Sequence, residues 1–321
     1  MGRIKKLSFG EIGGAPLFNA RQIDGRHLFE FDSEKWMATW LAFFNDRKST
    51  ENPCRWTVRN ARRAIRQAGL HGPQALILLL LLFMALPTRA EKAEDPLRVL
   101  FIGNSQTSRN ELPKLVERFS LAAGVDRPVV SKRITLGGES FYRHSERRDE
   151  GAPIQVIGRE PWDFVVLQEN TRVAVAGRET LIYAGRLVRA VREAGAEPLF
   201  YMTWAYRDEP EMQPAISRTY FQLGTRLKVP VAPVGEAFRR TRKAAPEIRL
   251  FETDGSHPSP EGSYLAASVL FAKLYGRSPV GVPLEIPGQG AKVAEISSQV
   301  AERLQQLAWQ TLENYRQPHG D

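Results

Sequence analysis

From residue 91 onward, short continuous apolar runs alternate with longer stretches in which apolar residues recur every three to four positions. Leu97–Gly103 (LRVLFIG) is such a run, and it predicts a strand buried on both faces of a parallel sheet. The spacing predicts a helix over 112–124, ending at a glycine. A β-branched strand follows over 128–136 and closes at Gly137-Gly138. The sequences DFVVL (163–167) and PLFYMT (198–203) predict two further buried strands, and 229–234 predicts a fifth. Helices are expected over 178–195, 212–228, 259–275 and 293–315. In the last of these, Val293, Ile296, Val300, Leu304 and Leu307 form one apolar stripe. Strand–helix alternation of this kind predicts an α/β fold, a central parallel sheet of about five strands with helices on both faces. No repeat or low-complexity tract interrupts it, and the Pro- and Gly-rich stretch 276–290 reads as a connection to the last helix.

The first quarter of the chain follows another pattern. Residues 75–86 (ALILLLLLFMAL) are apolar without a charge. A bilayer span needs about 20 such residues, so this run is too short, whereas about 7–15 suit the apolar region of an export signal. Arg55, Arg59, Arg62, Arg63 and Arg66 precede it, and Pro87-Thr88-Arg89-Ala90 follows with small residues placed for cleavage after Ala90. The expectation is therefore a basic extension over 1–72, a signal-like segment over 73–90 and a catalytic domain over 91–321. Export to the periplasm or outside the cell is expected after cleavage near Ala90, with anchoring by residues 75–86 as the alternative. The extension holds an aromatic cluster (Trp36, Trp40, Phe43, Phe44) and the single cysteine, Cys54. It reads either as the product of a start assigned too early or as a tail on an anchored protein.

Composition sharpens this division. The chain has 321 residues and a formal net charge of +9, which by itself would raise nucleic acid as a partner. The charge is uneven: residues 1–90 hold 14 Lys/Arg against 7 Asp/Glu, while the remainder holds 31 against 29. Basicity therefore belongs to the leader, and no nucleic-acid partner is expected. The arginines and lysine of 239–243 read as a solvated helix face. Membrane contact is expected only through the N-terminal segment. A content of 42% hydrophobic and 25% charged residues excludes a disordered or fibrous chain.

In parallel α/β sheets the ligand crevice lies beyond the carboxyl ends of the strands. There the chain places Gly103-Asn104-Ser105 after the first strand and Gly137-Gly138 after the second. Gln168-Glu169-Asn170-Thr171 follows the third strand, and Asp254-Gly255-Ser256-His257 lies far downstream. These residue types meet the needs of acyl transfer. A serine hydroxyl needs a base, which His257 supplies, and Asp254 three residues earlier holds the imidazole tautomer. A tetrahedral intermediate needs fixed donors, for which the N–H groups of Ser105 and of Gly137 or Gly138 and the amide of Asn170 are candidates. Beyond residue 90 the only histidines are His144, His257 and His319, which narrows the choice of base. His144 is a candidate pocket residue or a packing residue, and Trp204 and Tyr206 are candidate stacking surfaces for a sugar or acyl group.

These four blocks, in this order, resemble the SGNH hydrolase superfamily of GDSL-type esterases. The family's Gly-Asp-Ser is here Gly103-Asn104-Ser105, its oxyanion glycine falls in Gly137-Gly138, and its Asp-x-x-His is Asp254 to His257. Its Gly-x-Asn-Asp block keeps only Asn170, so Gln168 stands as an alternative oxyanion donor. The resemblance implies a flavodoxin-like three-layer sandwich and a Ser105–His257–Asp254 triad without a cofactor or metal. It further implies a small-molecule or carbohydrate ester as substrate, with an O-acyl group of an envelope component the expected class. An acyltransferase using the same triad, or an inactive binding protein on the same fold, are the alternatives.

Overall fold

The computed structural model describes residues 95–177 and 179–315, together with short strands at 11–12, 15–16, 18–23 and 26–31. The chain divides into two compact units, 1–92 and 93–321. In the first, two antiparallel hairpins pair Glu11–Ile12 with Ala15–Pro16 and Phe18–Ile23 with Arg26–Phe31. The apolar segment 75–86 and Cys54 lie outside the described residues. No helix among the described residues is long and apolar enough to cross a membrane.

The second unit is built on a five-stranded sheet. Its strands are β1 (Leu97–Gly103), β2 (Val129–Thr135), β3 (Phe164–Leu167), β4 (Glu197–Tyr201) and β5 (Val231–Ala232), in the order β2-β1-β3-β4-β5. All four pairings are parallel. Side chains of a strand alternate between its faces, and β1 shows what this does to its apolar run. Val99 and Phe101 enter one core with α1 (Leu112–Ala122), α8 (Pro260–Tyr275) and α9 (Ser298–Asn314). Leu100 and Ile102 enter a second core with α5 (Thr180–Glu193) and α6 (Gln213–Leu227). A strand covered on both faces is apolar at every position, and layering of this kind yields a three-layer α/β sandwich. At the edge, β2 keeps Lys132 and Arg133 exposed, a charge pattern that discourages further strand pairing.

Several short elements escape the sequence pattern. The helices α2 (Phe141–Glu146), α3 (Pro153–Arg159) and α4 (Thr171–Ala176) are each too short to show a helical period. The fifth strand contracts to two residues, and α7 (Val234–Ala244) begins where the sequence suggested strand. The last helix starts at Ser298 rather than at 293, because the Oγ of Ser297 accepts the Val300 N–H and caps it. Val293 is nonetheless fully buried, so its apolar character reports packing rather than helix. Helix α8 is buried on nearly every side. It starts at Ser259, whose Oγ accepts from the Gly262 N–H at 3.0 Å, with Pro260 in the first turn. A Cβ on Gly262 would collide with the Leu250 carbonyl, so only glycine lets this turn approach the loop before it.

Candidate active site

The sheet reverses its order of connection between β1 and β3, and the crevice above that point is the expected ligand site. Ser105 leaves β1 at the start of a single helical turn, Ser105–Ser108, whose N-terminus is capped by Asn104 Oδ1 accepting the Gln106 N–H. The preceding glycine is required, since a Cβ on Gly103 would collide with Gln168 Oε1 and Thr107 Oγ1.

His257 Nε2 lies 2.8 Å from Ser105 Oγ across 152 residues of sequence, and His257 Nδ1 lies 2.6 Å from Asp254 Oδ2. The aspartate is held in turn. Its Oδ1 accepts the N–H groups of Ser256 (2.8 Å) and His257 (2.9 Å), and the Ser256 hydroxyl donates to it at 3.2 Å. The His257 N–H and imidazole, then the Ser256 N–H, hold the Asp254 carboxyl well below the usual carboxylate range. Side-chain exposure is 24% for His257 and 44% for Asp254, which leaves the pair at the surface of the crevice. With Nδ1–H donated to Asp254, Nε2 is the acceptor that faces the serine.

The loop carrying this pair is clamped from outside. Trp204 Nε1 donates to the Ser256 carbonyl at 3.0 Å, and the Arg207 N–H donates to the Gly255 carbonyl at 2.7 Å. Gly255 itself has φ +70°, a left-handed turn that favours glycine. Asn110, also left-handed at φ 48°, donates through Nδ2 to the Pro258 carbonyl at 2.9 Å and to Ser263 Oγ at 2.8 Å. Asn110 thereby ties the segment after the serine to the segment after the histidine, a role that no local pattern announces.

The loop after β2 and the loop after β3 meet. Asn170 Oδ1 caps α4 by accepting the Arg172 N–H at 3.0 Å, while its Nδ2 donates to the Gly138 carbonyl at 3.0 Å. Asn104 Nδ2 donates to the Glu139 carbonyl at 3.0 Å, joining the serine loop to the same segment. That bond requires an amide at 104; an aspartate there would offer no donor. Gly137 and Gly138 are exposed, and Gly138 has φ +71°.

Gln168 and Trp204 stand elsewhere than expected, and His144 takes the packing place weighed for it. Gln168 is not free to donate to an oxyanion: its Nε2 donates to the Glu169 carbonyl (2.5 Å) and Gln106 Oε1 (3.3 Å), and both amide hydrogens are thereby used. Its Oε1 accepts from the Asn104 N–H and Thr107 Oγ1, so the side chain is a buried strut. His144 is fully buried and does not line a pocket. Its Nε2 donates to the Gly103 carbonyl at 2.8 Å, and burial lowers its pKa. Trp204 is also fully buried, stacked on Phe238 at 4.2 Å, and acts on the histidine loop through its indole N–H rather than on a substrate. Tyr206 does remain half-exposed, with the Arg172 guanidinium 5.1 Å over its ring. Arg172 also pairs with Glu209 at 2.7 Å.

No protein-family profile matches the chain, and no curated protein matches it. Among solved structures it is similar to a DUF4886 family protein from Bacteroides uniformis, at 19% identity and a TM-score of 0.56, covering 68% of this chain and 95% of that one. At this identity the likeness shows the shared fold. That fold is an α/β sandwich on a five-stranded parallel sheet. The chain is also similar to a proposed SGNH hydrolase from Slackia heliotrinireducens, at 26% identity and a TM-score of 0.49, covering 56% of this chain and 99% of that one. A carbohydrate esterase family 3 structure from Talaromyces cellulolyticus aligns at 15% identity and a TM-score of 0.44, covering 56% and 97%.

Proposed function

We propose that the second unit is a serine hydrolase of the SGNH type that cleaves an acyl ester. The observation that carries the reading is the continuous hydrogen-bonded line from Ser105 Oγ through His257 to Asp254, at 2.8 and 2.6 Å. Ser105 Oγ attacks the ester carbonyl as His257 Nε2 takes its proton. The imidazolium so formed is stabilised by Asp254, which remains ionised. The developing oxyanion takes donors from the Ser105 N–H, an N–H of Gly137 or Gly138, and the second Nδ2 hydrogen of Asn170. His257 then returns the proton to the leaving alcohol. A water activated by the same ring hydrolyses the acyl-enzyme.

The intact line favours the enzyme over an inactive binding protein on the same fold. An O-acyl group on a carbohydrate or another envelope component is the substrate class we favour, supported by the signal-like segment and the family resemblance. Export after cleavage near Ala90 is part of the same reading. N-terminal sequencing of the product recovered outside the cytoplasm tests it, and a chain still carrying residues 75–86 in a membrane fraction would support anchoring instead. Hydrolysis of p-nitrophenyl acetate by the wild type and by Ser105→Ala tests the chemistry. Equal rates would remove Ser105 from the mechanism. Product analysis with and without a sugar acceptor separates hydrolysis from acyl transfer.

A further inference from the structure

Glu169 stands between residues assigned above, yet no step of the reaction uses it. Its side chain is 1% exposed. One oxygen, Oε1, accepts two backbone N–H groups: that of Phe141 at 2.9 Å and that of Asn170 at 2.7 Å. Phe141 opens α2 directly behind Gly137-Gly138-Glu139-Ser140, so the two donors belong to the loops after β2 and after β3. The main chain of Glu169 is fixed as well, its N–H donating to Tyr220 Oη at 3.1 Å and its carbonyl accepting from Gln168 Nε2 at 2.5 Å. Among the described residues no Lys, Arg or His forms an ion pair with the carboxylate.

A buried carboxylate without a cation is costly, and removing it from water opposes folding. A glutamine at 169 could accept the same two N–H bonds without burying a charge, so packing alone does not account for the acid. We propose that Glu169 is a positioning residue of the oxyanion site, its ionised Oε1 clamping the Gly137–Gly138 loop to Asn170 so that donors from two strand ends keep a fixed separation. This inference rests on the hydrolase reading above.

The ionised form suits that task because charge-assisted bonds to N–H groups are shorter and stronger than neutral ones. Two weaker ties run alongside, Asn170 Nδ2 to the Gly138 carbonyl and Asn104 Nδ2 to the Glu139 carbonyl, but neither carries charge. Burial pushes the Glu169 carboxyl up to about 7, against the pull of its two N–H partners. The titratable groups on the surrounding elements are neutral or turned away. Tyr220 from α6 and Tyr201 from β4 are buried phenols raised above their usual range, and burial lowers the pKa of His144 from α2, whose Nε2 is held by the Gly103 carbonyl. Arg172 from α4 is engaged with Glu209 and Tyr206 at the surface. Glu139, in the loop itself, faces Arg143.

A clamp made for catalysis and a residue made for stability respond oppositely to loss of charge. Glu169→Gln is expected to lower kcat on p-nitrophenyl acetate about 10- to 100-fold with KM within about twofold, as loosened donors misalign with the oxyanion. The same variant is expected to unfold in urea at the same or a higher concentration than the wild type at about pH 8, since an ionised buried group is removed. Glu169→Asp, which keeps the charge and withdraws the oxygen by one methylene, is the second variant and is expected to show the same kcat loss. Both variants retaining kcat within about twofold of the wild type would overturn the proposal. So would a Glu169→Gln protein that unfolds or loses urea resistance in step with activity, because the acid would then be structural. A folded wild type that neither hydrolyses the ester nor takes a fluorophosphonate at Ser105 would instead overturn the hydrolase reading, and the inference with it.

Discussion

Asp254 and Glu169 are two carboxylates serving one crevice, and their surroundings set them apart. Asp254 is close to half exposed and accepts the His257 imidazole, two backbone N–H groups and the Ser256 hydroxyl. Glu169 is buried and accepts two backbone N–H groups through one oxygen. Donors and a potential cation hold the first carboxyl down, while desolvation outweighs its two donors and raises the second to about 7. The difference teaches that burial sets a carboxylate's character here more than the number of N–H partners does. It also separates the roles we propose: Asp254 to steady a charge that forms during the reaction, and Glu169 to hold backbone that must not move.

Substitutions along the line that Asp254 ends carry the largest effects. Ser105→Ala and His257→Ala are each expected to lower kcat by about 10⁴- to 10⁶-fold. Asp254→Asn, which leaves the shape and spoils the imidazole tautomer, is expected to cost about 10⁴-fold. Steady-state rates with p-nitrophenyl acetate check all three. Asn170→Ala comes next, at about 10²- to 10³-fold in kcat for a lost oxyanion donor. It also removes the cap of α4, worth about 1 kcal/mol in urea unfolding.

The smallest effect tests the comparison through pH. A depressed carboxyl such as Asp254 contributes stability that is present above its unfolded pKa and lost as pH falls through the folded one, so its loss lies in the strongly acid range. A raised carboxyl such as Glu169 behaves oppositely. Its contribution is complete below the unfolded pKa of about 4.3 and is lost as pH rises through about 7. The urea midpoint of Glu169→Gln should therefore gain on that of the wild type between about pH 5 and about pH 8. A constant difference across that range would show that Glu169 titrates as an exposed carboxylate.

Sequence reasoning picked out Ser105, His257 and Asp254, which lie in one hydrogen-bonded line, for a physical reason. Asp254 and His257 lie three apart on one turn, so their contact is local, and Ser105 follows a strand whose burial is written in its apolar run. It did not reach the supports. Trp204 meets the Ser256 carbonyl across 52 residues, and Asn110 meets Pro258 across 148. A rim aromatic and a buried indole are the same letter in a sequence, which is why Trp204 was expected beside a substrate. Gln168 reads as a free donor because nothing local shows that its two hydrogens are spent on Glu169 and on Gln106, a partner 62 residues away. The fold divides similarly: β1, β3 and β4 are plain from their continuous apolar runs, whereas α2, α3 and α4 are too short for a period to emerge.

The central claim, that Ser105 is a nucleophile activated by His257, is tested most directly by treating the folded protein with a fluorophosphonate and mapping the adduct by peptide mass. The account predicts a single adduct on Ser105 that is absent from Ser105→Ala and strongly slowed in His257→Ala. A folded protein that stays unlabelled, or one that carries the adduct on another residue, would contradict it.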